Sequence, residues 1–218
     1  MIKYLRVCWD TVQVDGEADM NVNFEEYRSW IQKYIKNNDT REINFQNDVV
    51  KRLLEKLYPD YDVICVDTKG CDSKRHDYYA YSGSYKDDKG KKKPATPDLL
   101  ICQNWDWYNK DNNNITYIAT VEVKSPYGSE AIYKKEFKDY FPHSRTQIEQ
   151  HLAAKKLNKV IYTDTLKWEF YEKTLDSHKD IMLVDRIRKG RGYTFMWKKD
   201  AEKEFQNLLE ELKRFLLS

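Results

Sequence analysis

The apolar residues of this chain recur at two spacings, and these divide it into helices and strands. Between residues 24 and 35, Phe24, Tyr27, Trp30, Ile31, Tyr34 and Ile35 return every three or four positions, which predicts a helix with one buried face. A second helix is expected next, capped by Asp39 or Thr40, with Ile43, Phe45, Val49, Val50, Leu53, Leu54 and Leu57 on one side until Tyr58 and Pro59 stop it. A third is expected from Ser144, its candidate cap, through about Leu157, with Ile148, Leu152 and Leu157 inward. The last opens at Asp200 and carries Phe205, Leu208, Leu209, Leu212, Phe215 and Leu216 as a stripe, for which core packing is the expected use ahead of a partner helix. Alternating or continuous apolar runs predict strands at residues 2–8, 63–66, 97–102, 118–124, 160–162 and 168–171, with a further short strand or helix start at 181–184. Residues 70–94 read as a hairpin or long loop, and 127–142 are mixed. With neither repeat nor linker, 1–218 is expected to be one domain: 1–39 an added layer, 40–171 a core, and 172–218 a C-terminal strand and helix.

One pair of predicted strands differs from the rest in its polar residues. The first reads Pro97, Asp98, Leu99, Leu100, Ile101, Cys102; the second reads Ile118, Ala119, Thr120, Val121, Glu122, Val123, Lys124. Asn112, Asn113 and Asn114 between them are turn chemistry. Strand alternation sends Glu122 and Lys124 to one face and Val121 and Val123 to the core, and Asp98 joins the polar face if the strands pair. Two carboxylates and an ammonium are costly to bury without compensation, and a hard divalent cation with oxygen ligands is the simplest compensating partner.

These residues resemble the PD-(D/E)xK nuclease superfamily, in its RecB-type and type I restriction-enzyme branch. The likeness rests on Pro97 and Asp98, on Glu122-Val123-Lys124, on the run from Gln147 to His151 and Leu152, and on the run from Lys159 to Tyr171; it covers roughly residues 40–171. It implies an α/β fold with a restriction-endonuclease-like mixed β-sheet flanked by α-helices, and a DNA endonuclease dependent on Mg²⁺, for which Mn²⁺ substitutes, serving restriction or other defence against foreign DNA. It further implies Asp98 and Glu122 as metal ligands with the Val123 carbonyl as a third, and Lys124 as the ammonium that orients water or stabilises developing charge. Glu42 would add an acid from the preceding helix, and Gln147 would position phosphate or the lysine. His151 stands where the family's pattern has Tyr, which makes it a supporting residue rather than a ligand. Apart from the resemblance, the same acids and lysine read as an ordinary charged sheet face, and Glu42 as a first-turn acid favourable to the helix dipole.

A net charge of +2 leaves any attraction for DNA to local patches. Lys86, Lys89, Lys91, Lys92 and Lys93 form one such patch just before Asp98, among tyrosines able to stack on unpaired bases; a solvated loop is the plain alternative. Arg145, Arg186 and Arg188 are further candidate nucleic-acid contacts. Cys8, Cys65, Cys71 and Cys102 fit neither zinc nor disulfide spacing and no apolar signal segment opens the chain, so reduced thiols in a cytoplasmic protein are expected. No stretch approaches the ~20 apolar residues of a membrane span. The chain also lacks a GxxxxGK[ST] motor motif. Two alternatives stay open: an inactive nuclease-fold module that only holds nucleic acid or protein, and a nuclease subunit dependent on a motor or specificity partner. A homodimer is open as well.

Overall fold

A computed structural model describes residues 22–66, 82–87, 89–106 and 114–218. The strand expected at 2–8, residues 70–81 of the stretch expected at 70–94 as a hairpin or long loop, and Cys8, Cys71, Asn112 and Asn113 lie outside the described residues. Cys65 and Cys102 are both free thiols, as expected.

Helix α1 (Phe24–Lys36) follows the predicted spacing and buries Phe24, Tyr27, Trp30, Ile31 and Tyr34. The Asn23 side chain caps it by accepting from the Glu26 N–H at 2.8 Å, and acids in its first turn and lysines in its last complement the helix dipole. Helix α2 is continuous but irregular: an α-helical turn (Glu42–Phe45), a π-helical segment (Gln46–Lys51) and a final α-helical segment (Arg52–Leu57). Neither Asp39 nor Thr40 caps it. Arg41 stands at the cap without a side-chain bond, because Asp39 binds the Arg41 guanidinium instead, at 2.7 and 2.8 Å. The π segment resets the helical phase, so Phe45, Val49, Val50, Leu53 and Leu54 reach the core while Ile43, expected on the same face, is 48% exposed.

Helix α3 (Pro142–Leu152) starts on a proline at its first turn rather than on a Ser144 cap and stops at Leu152, short of Leu157. Helix α4 (Ala201–Leu217) has Asp200 at its cap position, with no bond from the side chain, and buries Phe205, Leu208, Leu212, Phe215 and Leu216. Among the described residues, no helix is long and apolar enough to cross a membrane.

The strands are β1 (Asp62–Cys65), β2 (Ser84–Lys86), β3 (Lys92–Pro94), β4 (Leu99–Gln103), β5 (Thr116–Val123), β6 (Lys159–Thr163), β7 (Lys167–Glu172), β8 (Thr174–Met182), β9 (Val184–Lys189) and β10 (Gly192–Trp197). Six form a sheet in the order β1-β4-β5-β6-β7-β8; β2 with β3 and β9 with β10 make separate two-stranded ribbons. The short element expected at 181–184 is the end of β8 and the start of β9. All sheet neighbours are antiparallel except β5 and β6, whose parallel pairing needs a crossover, and α3 lies within that crossover.

Both faces of this mixed α/β sheet are covered. Ala119, Val121 and Val123 of β5, Ile161 of β6, and Trp168 and Phe170 of β7 pack in one core with α1, α2 and α4. Tyr27 ties α1 into it, stacking on Phe205 with ring centroids 4.8 Å apart and donating its hydroxyl to the Thr165 carbonyl at 2.6 Å. On the opposite face Val160, Tyr162 and Tyr171 meet Ile148 and Leu152 of α3. The β2–β3 hairpin also lies against α3: Gly83 has φ +81°, and a Cβ there would come within 1.7 Å of the Gln150 carbonyl oxygen. Only glycine permits both the left-handed backbone and that approach.

Candidate active site

The strand register gathers polar residues into a row under α3. Leu99 pairs with Val121, so Asp98 stands beside Glu122 where β4 begins; Glu122 pairs with Tyr162, and Tyr162 with Glu169. The alternation that places Val121 and Val123 in the main core therefore sends Glu122 and Lys124 to the other face, as expected. Because α3 covers that face, Glu122 is only 3% exposed, Lys124 6% and His151 2%.

Lys124 Nζ donates to Glu122 Oε1 at 2.8 Å, while the Lys124 backbone N–H donates to the Thr163 carbonyl at 2.8 Å. Asp98 Oδ2 accepts the Val123 N–H at 2.7 Å, which locks the acid of one strand to the backbone between the two site residues of the next. The Gln46 side chain of α2 donates to the Asp98 carbonyl at 3.1 Å. Glu122 Oε2 is buried and has no hydrogen-bond partner; His151 Nε2 lies 3.7 Å away, beyond hydrogen-bonding range. Nδ1 of that ring lies 2.8 Å from the Ser82 carbonyl oxygen at the root of the β2–β3 hairpin.

These contacts set the charge states. Burial, followed by repulsion from Glu122, pushes the Asp98 carboxyl up to about 8. Burial also opposes ionisation of Glu122, but His151 and Lys124 outweigh it and hold this carboxyl below its ordinary value. Lys124 is disfavoured by burial and stabilised more strongly by Glu122, so it stays protonated with a raised pKa. Glu42 sits at the start of α2 with its residue surface exposed; partial desolvation raises its carboxyl, and Lys124 offsets part of that rise.

The Asp98 shift gives a signed pH dependence. The group ionises near 3.8 when unfolded and about 8 when folded, so its contribution to stability is fully present below pH 4 and is lost as pH rises through 8. In metal-free protein, Asp98→Asn should therefore gain in Tm relative to wild type between pH 5 and pH 9. A Tm difference that stays constant across that range would rule out Asp98 as the group responsible.

Gln147 precedes His151 by one turn of α3 and so shares its side of the helix; its Oε1 is buried without a hydrogen-bond partner. Val123 is buried with its side chain in the main core, and its backbone N–H bonds Asp98. Lys91 and Lys92 are exposed and Lys93 half-buried on the hairpin whose root meets α3 at Ser82 and Gly83, beside His151. Arg145, in contrast, lies over the Phe137 ring at 5.1 Å, around α3 from Gln147. Arg186 pairs with Glu136 at 2.6 Å, and Arg188 is exposed opposite Tyr193 on the β9–β10 ribbon. The structure thus brings together Asp98, Glu122, Lys124, Glu42 and the Gln147 side of α3, whereas Arg145 and Arg186 are engaged by Phe137 and Glu136 and Arg188 is exposed on the β9–β10 ribbon.

Two features of this face went unread. Tyr162 lies beside Glu122, its hydroxyl near Ser144 and Lys124 but not in hydrogen-bonding geometry. Farther along the row, Glu169 is wholly buried: Tyr140 donates to Oε1 at 2.6 Å, Tyr171 to Oε2 at 2.5 Å, and Lys167 Nζ is 2.7 Å from Oε1. Every oxygen there is satisfied, so this network stiffens the fold. The Lys167-Trp168-Glu169 alternation was the available signal, but nothing local in it tells a satisfied pair from a reactive one.

The unpartnered Glu122 oxygen is the contrast, and with Asp98 alongside it fits an oxygen-preferring divalent cation. Among the described residues no three His, Cys, Asp or Glu side chains gather closely enough to hold a metal ion by themselves, so water or phosphate would complete the shell. In comparison with known proteins, the chain matches no family model, and no curated protein or solved structure matches it significantly.

Proposed function

We propose that the chain is a metal-dependent nuclease of restriction-endonuclease-like fold that hydrolyses phosphodiester bonds in DNA. The observation that carries this reading is the buried Glu122–Lys124 pair, with Asp98 on the adjoining strand and one Glu122 oxygen left without a partner. An ordinary charged sheet face would project into solvent, where no carboxylate oxygen needs a partner. Asp98, Glu122 and the Val123 carbonyl would hold Mg²⁺, or Mn²⁺ in its place. When bound, the cation supplies positive charge for the phosphate and acidifies a coordinated water. Lys124, kept protonated by Glu122, stabilises negative charge on the phosphate or orients the attacking water. Gln147 brings an amide to the same side as His151, where it can orient phosphate.

Purified protein incubated with plasmid, linear duplex and single-stranded DNA should cut only when Mg²⁺ or Mn²⁺ is present. Undiminished cutting in excess chelator would reject the metal mechanism. Binding without cutting under every metal condition would favour the inactive nucleic-acid-binding module, and cutting only after a partner protein is added would favour the subunit alternative.

The hairpin lysines make a separate prediction, supported by the docking of their ribbon beside His151. Changing Lys91, Lys92 and Lys93 together to Gln should weaken binding to different DNA sequences about equally. It should also flatten the slope of log affinity against log salt by roughly one to three units, since each phosphate contact on duplex DNA contributes about 0.9. Titrations across a salt series decide this, and an unchanged slope would shift attention to the basic run along the β9–β10 ribbon, Arg186, Arg188 and Arg191.

A further inference from the structure

The β9–β10 ribbon takes no part in the six-stranded sheet, yet its root is built onto the candidate site. Residues 125–136 leave directly from Lys124, and Ser125 donates its hydroxyl to the Thr40 carbonyl at 2.7 Å, two residues before Glu42. Phe195 of β10 packs on Tyr133 and Tyr127 of that segment, with ring centroids 5.6 and 6.1 Å apart, and Arg186 of β9 pairs with its Glu136. Trp197 meets Phe24 of α1 at 5.3 Å. The inner half of the ribbon is therefore fixed to the body, at the end of β5 from which Lys124 emerges.

Its outer half stands clear. Every residue from Ile187 to Tyr193 is exposed. The ribbon carries Arg186, Arg188, Lys189 and Arg191 against a single acid, Asp185, in a chain whose net charge is only +2. Gly190 has φ +59° and opens the two-residue turn between Lys189 and Gly192, a position at which tight hairpin turns favour glycine. Gly192 has no such requirement: its φ is not positive, and among the described residues a Cβ there would meet nothing within 4 Å. Glycine in a strand sacrifices side-chain packing, and where neither backbone nor neighbours demand it, it leaves room for another molecule to approach closely.

We propose that the β9–β10 ribbon is a duplex-DNA-binding arm, its tip entering the major groove with Arg188, Lys189 and Arg191 on the flanking phosphates. The proposal rests on the nuclease reading above for DNA as the substrate and adds that the duplex is the form held. A two-stranded ribbon fits the major groove of B-DNA, which is about 12 Å wide, whereas that of A-form RNA is too deep and narrow for side chains to read. Six residues a side at ~3.4 Å each extend about 20 Å, enough to cross the groove. Three cations among the seven consecutive exposed residues from Ile187 to Tyr193 match a polyanion better than a protein partner, since the core of a protein interface is depleted in charge. The same seven residues hold one aromatic ring, Tyr193, whereas single-strand sites are built from several on which successive bases stack.

Fluorescence anisotropy on the full chain in chelator measures binding apart from cutting, with a duplex DNA oligonucleotide, its single strand and a duplex RNA of the same sequence as probes. Wild type should prefer duplex DNA to the other two by about tenfold or more. Changing Arg188, Lys189 and Arg191 together to Gln should weaken duplex binding about tenfold or more, affect the single strand less, and flatten the salt slope by up to about three units, 0.9 for each lost contact. Gly192→Val should keep the wild-type Tm and yet weaken duplex binding about fivefold or more, because a branched side chain holds the strand off the groove. Amide hydrogen exchange on the wild type alone should slow between Arg186 and Tyr193 when duplex is added. Duplex affinity unchanged in either variant, or a ribbon left unprotected in the bound wild type, would overturn the arm and leave the nuclease reading standing. Equal losses on duplex and single strand would overturn the choice of duplex, and a wild-type dimer that the ribbon variants dissolve without losing DNA would give the surface to a second copy instead. A wild type that binds no nucleic acid and cuts none with Mg²⁺ or Mn²⁺ would overturn both readings.

Discussion

Replacing either acid should end cleavage, but the two replacements should differ in what they do to folding. Asp98→Asn and Glu122→Gln are each expected to lower turnover by about three orders of magnitude or more, because the cation they would hold on the proposed reading contributes several kcal/mol to the transition state. Asp98→Asn should leave the fold intact or stabilise it near neutral pH, since it removes a half-buried carboxyl that burial and Glu122 already disfavour as an ion. Glu122→Gln keeps an acceptor for Lys124 Nζ and should fold. Glu122→Ala does not: it strands a buried ammonium that is 6% exposed, and losing one partner of a buried ion pair typically costs about 3–5 kcal/mol. Cleavage rates and Tm measured on the three variants separate these outcomes. A variant of Asp98 that cuts at the wild-type rate would remove that residue from the ligand set.

Lys124→Ala should slow the chemical step about 10²-fold or more under single-turnover conditions with saturating metal, the usual scale for one lost electrostatic contact to a transition state. The same change leaves Glu122 buried without its 2.8 Å partner, so the metal-free protein should lose about 3–5 kcal/mol of stability. On the proposed reading, a cation bound at Glu122 would replace the missing positive charge. Mg²⁺ should therefore raise the Tm of Lys124→Ala more than that of wild type. If the variant regains full single-turnover rate once metal is raised, Lys124 assembles the site and takes no part in the chemical step.

The elements that periodicity made legible are those whose structure is set by their own residues. The stripes of α1 and α4 were visible because most of their apolar positions face one way, and the alternation of Val121, Glu122, Val123 and Lys124 assigned those side chains to opposite faces before any partner strand was known. The pairing of Asp98 with Glu122 was also accessible, since two short strands joined across an Asn-rich stretch have few ways to pair. Local spacing could not foresee the π segment that turns Ile43 outward, because it depends on how α2 packs as a whole. Nor could it foresee that Tyr162 lies beside Glu122, which follows from a parallel register set by a crossover of more than thirty residues, from Val123 to Lys159. The difference between Glu169, whose oxygens are both taken by tyrosines, and Glu122, which keeps one oxygen unpaired, is invisible in a strand pattern that gives both an acid two positions from a lysine. Residue spacing carries the direction in which a side chain leaves its own backbone. Burial and hydrogen-bond satisfaction depend on which distant segments cover it, here α3 and the hairpin root at Ser82 and Gly83, and only chain packing brings those together.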